Sequence, residues 1–320
     1  MDDRSKWKLI NKLTNLQTNS GVQPIRMVRN GKPVYLFEDD EIQEVTENHH
    51  IRKVDHSGPR NPDDKCEVLT ALQEMVTNAM LVSSNDVMNS LISDYEIKLT
   101  FGTGSDTAGP DGITASLIDK ANRVEMQQCL SLLWNKAWTE GYFINVWKEE
   151  DRVIIPKPGK DDYHDCDSYR TVSITSCLGK RFERITAQRL IAVLEQVNFD
   201  PLQFAYLHDR SCTQALQVLV ERVKNSLIAG NIAGVVFFYF SDAFGSVDRN
   251  LLLLKLGRDF GITGRLFLHI HSFLSHRFAR IRTNGMLGDW IKSLFGTSAG
   301  TILGPLLFVS YIHDVPRCVS

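Results

Sequence analysis

Three groups of residues in this chain have the types and spacing to carry chemistry. His49, His50 and His56 raise the question of a metal, because neutral imidazole is a common ligand for zinc and its neighbours. No cysteine or carboxylate falls at ligand spacing beside them, so the stretch reads as a solvated loop and no metal is assigned. The run 101–112, Phe-Gly-Thr-Gly-Ser-Asp-Thr-Ala-Gly-Pro-Asp-Gly, has the backbone freedom to cradle a phosphate. It lacks the Gly-Lys-Ser/Thr ending of a phosphate loop, and no apolar strand precedes Gly102 and Gly104. A tight turn leading into a helix at 114–122 fits better. The third group is cationic. Lys157 and Lys160 sit on a Pro-Gly turn, five cations (Arg170, Lys180, Arg181, Arg184, Arg189) face Glu183, and six (Arg258, Arg265, Arg277, Arg280, Arg282, Lys292) face Asp259 and Asp289. Charge runs usually mark solvated faces, but two such clusters in a chain of formal net charge -2 are where contact with phosphate is expected.

Apolar periodicity supplies the elements that must hold these groups. Leu9, Leu13 and Leu16 predict a short amphipathic helix in the first 20 residues. Turn residues at 30–33 separate it from the acidic stretch Glu38 to Glu47 and the histidines, which together read as a boundary region. Leu69, Leu72, Met75, Val76 and Met80 predict a helix between 64 and 94. Leu130, Leu133, Trp134 and Trp138 predict a core stripe ended by Gly141. Val153-Ile154-Ile155 reads as a short strand running into the turn that carries Lys157 and Lys160. The strongest strand signal is Val235-Val236-Phe237-Phe238-Tyr239-Phe240, followed by a polar turn and Leu251 to Leu256.

Composition bounds the rest. The 320 residues are 43% hydrophobic and 23% charged, enough to bury a sizeable core. Six scattered cysteines with no Cys-x-x-Cys pair argue against a zinc ribbon or a secreted disulfide scaffold. No apolar run approaches the roughly 20 residues of a membrane span, and the start lacks a signal-peptide core, so a soluble intracellular protein is expected.

Several separated motifs resemble, in order, the reverse transcriptases of non-LTR retrotransposons. Gly109-Pro110-Asp111-Gly112-Ile113 is similar to the motif that opens that family's fingers, and Trp147-Lys148 with Val153-Ile154-Ile155-Pro156-Lys157-Pro158-Gly159-Lys160 to its fingers strand. Ser168-Tyr169-Arg170-Thr171-Val172-Ser173-Ile174-Thr175-Ser176 resembles the family's Tyr-Arg-Pro-Ile-Ser-Leu-Thr-Ser, with Thr171 in place of Pro. Gln203-Phe204-Ala205-Tyr206, Arg210-Ser211, Leu303-Gly304-Pro305-Leu306-Leu307-Phe308 and Tyr311-Ile312-His313-Asp314 continue the likeness, which covers about 95–316. The resemblance implies an α+β right-hand polymerase: fingers and an incomplete palm over 61–320, preceded by a helical N-terminal extension over 1–60.

The resemblance also shows where this chain departs. Polymerisation in the family uses two magnesium ions held between palm carboxylates. Its motif Asp-Phe-Ser-x-Ala-Phe-Asp is matched here by Tyr239-Phe240-Ser241-Asp242-Ala243-Phe244-Gly245, so a phenol stands at the metal-binding aspartate. The family's Gln-Gly is Ala299-Gly300 here, and its Ala-Asp-Asp hairpin is expected downstream of Asp314, past the last of these 320 residues. The expectation is therefore no bound metal, no catalytic residue and no polymerisation. Lys157, Lys160, Arg170, Phe244 and Gly300 are expected as a vestigial nucleotide or template site, with weak binding of RNA or a primer-template. Two alternatives stay open, a fragment of a longer active polymerase and a poorly folding remnant. An uncovered sheet edge at 235–240 is expected to favour self-association.

Overall fold

In the computed structural model, residues 25–315 are described apart from 30–31, 37, 52–61, 83–85, 103, 105, 197–198 and 241. The helix expected around Leu9 to Leu16 lies outside them. Ile25–Arg29 (β1) and Lys32–Leu36 (β2) pair antiparallel, with Ile25 opposite Leu36. The acidic stretch, read from sequence as a boundary region, and His49 and His50, read as a solvated loop, instead form one helix, Asp39–His50 (α1). Asp39, Asp40 and Glu41 stand at its positive N-terminal end, where carboxylates suit the helix dipole, and His49 and His50 close its last turn. Its inner face is Ile42, Thr46 and Glu47 with the half-buried Val45, too few apolar residues to show a helical period against so many acids.

Pro62–Leu81 (α2) buries Leu72 and Ala79 and leaves Leu69 and Met80 exposed. Asp94–Leu99 (α3) starts at a reciprocal cap between Ser93 and Glu96, and Ala115–Lys120 (α4) starts where the Thr114 hydroxyl accepts from the Leu117 amide. Val124–Thr139 (α5) carries the expected core stripe with one correction: Leu130, Trp134, Ala137 and Trp138 are buried, but Leu133 faces solvent. The helix stops at Gly141, whose φ is +61 and where any Cβ would collide with Leu268. Strands Glu149–Pro156 (β3) and Tyr169–Thr175 (β4) follow, then helices Cys177–Gln196 (α6), Cys212–Ile228 (α7), Arg249–Arg258 (α8) and Gly264–Leu274 (α9). Arg277–Thr283 (β5), Met286–Leu287 (β6), Ile291–Ser293 (β7) and Leu303–Tyr311 (α10) complete the described elements. No described helix is long and apolar enough to cross a membrane.

β3 pairs antiparallel with β4 and parallel with β5, and β6 and β7 pair with different stretches of β5. The β5–β6 turn is Asn284-Gly285, both at positive φ, the backbone that a two-residue hairpin needs. One face of the sheet packs on the N-terminal elements: Ile154, Tyr169 and Ile281 share a core with Ile25, Leu36 and Ile42. The larger core is helical, with Trp134, Trp138, Phe143 and Phe182 fully buried among leucines of α6, α8, α9 and α10.

Two sequence expectations fail here for physical reasons. The run 235–240, the strongest strand signal, forms no strand, and Phe237, Phe238 and Tyr239 are 82%, 71% and 88% exposed. A strand exists only when a neighbour completes its ladder, and among the described residues none lies beside it. The preceding α7 has no buried residue either. The two basic clusters are also partly internal. Arg181, Arg189 and Arg277 have side chains 3%, 4% and 1% exposed, paired with Asp119, Glu96 and Glu150. Arg189 also lies 4.7 Å over the Trp138 ring and donates to the Ser90 carbonyl at 2.7 Å, so it clamps α3 onto the core.

Candidate nucleic-acid interface

The expected site residues fall into two groups. Lys157, Lys160 and Arg170 gather at one end of the β3–β4 ladder, where Ile155 pairs with Arg170 and Pro156 with Tyr169. The turn is fixed by backbone: the Lys157 amide donates to the Ser168 carbonyl at 2.8 Å and its carbonyl accepts from the Tyr163 hydroxyl at 2.7 Å. Lys157 Nζ reaches the Asp167 carbonyl at 2.9 Å, leaving two of its three protons for another acceptor. Gly159, at φ +73, reverses the chain in open space, and Lys160 and Arg170 are exposed.

Gly300 and Phe244 form the second group, around the loop that leads into α10. Gly300 has φ +118 and lies against β4, where a Cβ would strike the Ser173 carbonyl. The Ser173 amide in turn donates to the Ala299 carbonyl at 2.6 Å, so the loop is pinned to the strand. The half-buried Phe244 ring lies 5.2 Å from Phe308 of α10 and 6.4 Å from Tyr206, and its carbonyl accepts from the Thr297 amide at 2.8 Å. Both residues thus have structural work in the fold.

Sequence reasoning missed the residue that places this loop. Glu183 of α6, buried, accepts from the amides of Ile302 and Leu303 at 2.8 and 3.3 Å and so caps α10. Burial pushes its carboxyl above the ordinary range, against the opposing pull of Arg277 and the two amides. Its only sequence signal was that it stood alone among five cations. Lys148, of the Trp147-Lys148 motif, is also internal: it donates to the Ser272 hydroxyl at 3.2 Å and lies over the Tyr142 ring. Burial, then the charge of Arg277, lowers its pKa to about 8.

Tyr239, which the resemblance sets where a metal-binding aspartate is expected, projects into solvent at 88% exposure. Asp242 has φ +49, and its carboxylate folds back over Gly245, where a Cβ would meet it. Among the described residues, no three His, Cys, Asp or Glu side chains converge as metal ligands.

Residues 155–320 match the family model described as reverse transcriptase (RNA-dependent DNA polymerase). The chain is 30% identical over 190 residues to the RNA-directed DNA polymerase from mobile element jockey of Drosophila melanogaster, covering 59% of this chain and 20% of that protein. It is 27% identical over 189 residues to the probable RNA-directed DNA polymerase from transposon X-element of the same fly, with the same coverage. It is 30% identical over 152 residues to the retrovirus-related Pol polyprotein from type-1 retrotransposable element R1 of Bradysia coprophila, covering 46% of this chain and 14% of that protein. The chain therefore spans a fifth or less of the length of these relatives. With that family model matching more than half its length and these relatives beside it, this chain belongs to the reverse transcriptase family, on the branch of the non-LTR retrotransposons.

Proposed function

We propose that this chain supplies the fingers and part of the palm of a right-hand polymerase, does not polymerise, and keeps weak affinity for RNA or a primer-template. Tyr239 carries the first part of this reading. A phenol is a poor magnesium ligand beside a carboxylate, and here it stands in solvent, with no group of three ligand side chains among the described residues. The described residues do not fit a two-metal centre. The binding part rests on Lys157, Lys160 and Arg170, three cations at one end of the β3–β4 ladder, two of them exposed. Arginine suits bidentate phosphate contact, and lysine serves as a point charge. The exposed run 235–240 adds self-association as a property of the isolated chain.

The test is binding and extension on one preparation. Single-stranded RNA should bind with a Kd of about 10⁻⁴ to 10⁻⁶ M and weaken as salt rises, while primer extension with magnesium or manganese stays at background. Reversing Lys157, Lys160 and Arg170 together to Glu should weaken binding and flatten its salt dependence. Template-dependent extension would sink the inactivity reading, and an unchanged triple variant the binding reading. A second reading, part of a longer active polymerase, is favoured by the 20% coverage of the jockey protein. Coding sequence continuing into an Ala-Asp-Asp hairpin would support it, and Tyr239 weighs against it.

A further inference from the structure

The sheet has a second face, and the described elements leave it uncovered. Residues directly opposite in a ladder share a face and alternate along each strand. The registers Asp151↔Arg280, Val153↔Arg282 and Phe278↔Lys292 therefore put Phe278, Arg280, Arg282 and Lys292 on one side, opposite to Ile154 and Ile281 of the buried core. Arg170 joins them through its pairing with Ile155. Trp290, just before β7, belongs to the same face, because the Arg280 guanidinium stacks 4.3 Å from its ring centre. Asp151 holds that guanidinium at 2.7 Å, so the indole is backed by a fixed cation.

Neither aromatic is core. Phe278 is 38% exposed and Trp290 40%, and neither belongs to a buried apolar cluster of the described residues. Four cations (Arg170, Arg280, Arg282, Lys292) share the face with two carboxylates, Glu149 and Asp151, which leaves it positive in a chain that is negative overall. Exposed rings interleaved with cations on an open sheet suit a polyanion that also offers flat apolar faces, which is single-stranded nucleic acid. A duplex keeps its bases stacked inside and could use only the cations.

We propose that the open sheet face is a stacking platform for single-stranded RNA or DNA, with bases on Trp290 and Phe278 and phosphates on Arg282 and Lys292. This deepens the nucleic-acid reading above but does not depend on Lys157 or Lys160. The full chain is titrated with a fluorescent single-stranded oligonucleotide, an abasic strand of the same length and charge, and a blunt duplex. The intact strand should bind about tenfold or more tighter than the abasic one. Trp290→Ala with Phe278→Ala should remove that preference, Trp290→Phe should keep most of it, and far-ultraviolet circular dichroism should be unchanged in both.

Equal affinity for abasic and intact strands, or a duplex bound as tightly as a single strand, overturns the platform and leaves the charge-based reading standing. A preference that survives in the double alanine variant overturns it too, and places stacking elsewhere on the chain. If the unaltered chain binds none of the three probes, both readings fall. If the double variant does not fold, Trp290→Phe and Trp290→Ala take its place: the preference should persist in the first and fall in the second, and equal preference in both overturns the platform.

Discussion

Glu150 and Arg277, on the neighbouring strands β3 and β5, meet at 3.1 Å with side chains 0% and 1% exposed. The other Glu150 oxygen takes Arg152 at 2.8 Å, and Arg152 reaches on to the Ser293 hydroxyl and the His50 carbonyl. One buried carboxylate thus ties α1, β3, β5 and β7 together.

Removing that charge should leave Arg277 buried without its carboxylate. Glu150→Gln is expected to cost about 3–5 kcal/mol in urea unfolding at neutral pH. Burial by itself raises this carboxyl, but Arg152 and Arg277 outweigh it and hold the pKa down at about 2. Its contribution is therefore complete above the unfolded value of about 4.3 and is lost as pH falls from there toward 2. The variant's stability should be flatter than the parent's across that window, and parallel curves would refute the assignment.

His269 behaves differently, as a buried base with no hydrogen-bond partner on either ring nitrogen among the described residues. It sits 4.5 Å from the Phe182 ring and 5.4 Å from Phe143. Burial first, then Lys148 and Arg189, lowers its pKa to about 3. The unfolded chain takes up a proton near pH 6.5 that the folded chain refuses, so stability falls as pH drops from about 6.5 toward 3, by up to about 1.4 kcal/mol per unit. His269→Phe should remove this slope, which thermal melts at pH 7.5 and 5.5 can measure. An unchanged slope would show that the imidazole is not the source.

Gly300→Ala separates a structural glycine from one that serves only a ligand. The new methyl meets the Ser173 carbonyl and the backbone stays at φ +118, so a loss of about 1–3 kcal/mol is expected in the absence of any nucleic acid. A melting temperature equal to that of the parent would instead give the glycine to ligand approach.

The run 235–240 should drive association of the isolated chain at micromolar concentration, because six consecutive residues expose apolar side chains and backbone groups that no described strand completes. Phe237→Lys with Phe238→Lys should lower static light scattering toward the monomer value. A parent chain that sediments as a stable monomer would refute this.

The candidate site was legible in the order of its residues but not in their placement. Lys157, Lys160 and Arg170 could be read from their motifs, because a Pro-Gly turn and an alternating strand are local patterns. The roles of Gly300 and Phe244 against Ser173 and Phe308 could not, since those contacts join residues far apart in sequence. Phe278 and Trp290 passed unremarked for the same reason: β5 alternates visibly, but which side is covered depends on where β1, β2 and α1 dock.

The sequence by itself determined the helices with a clear apolar stripe, the β3 strand and its cationic turn, the family and the tyrosine at residue 239. Each is set by local period, turn chemistry or residue identity. Only the tertiary structure decided which cations are free. Arg181, Arg189 and Arg277 read from sequence like Arg170, yet each is buried against a carboxylate on a distant element. It also decided the fate of 235–240, whose apolar and β-branched or aromatic residues favour a strand that still needs a neighbour's hydrogen bonds to exist.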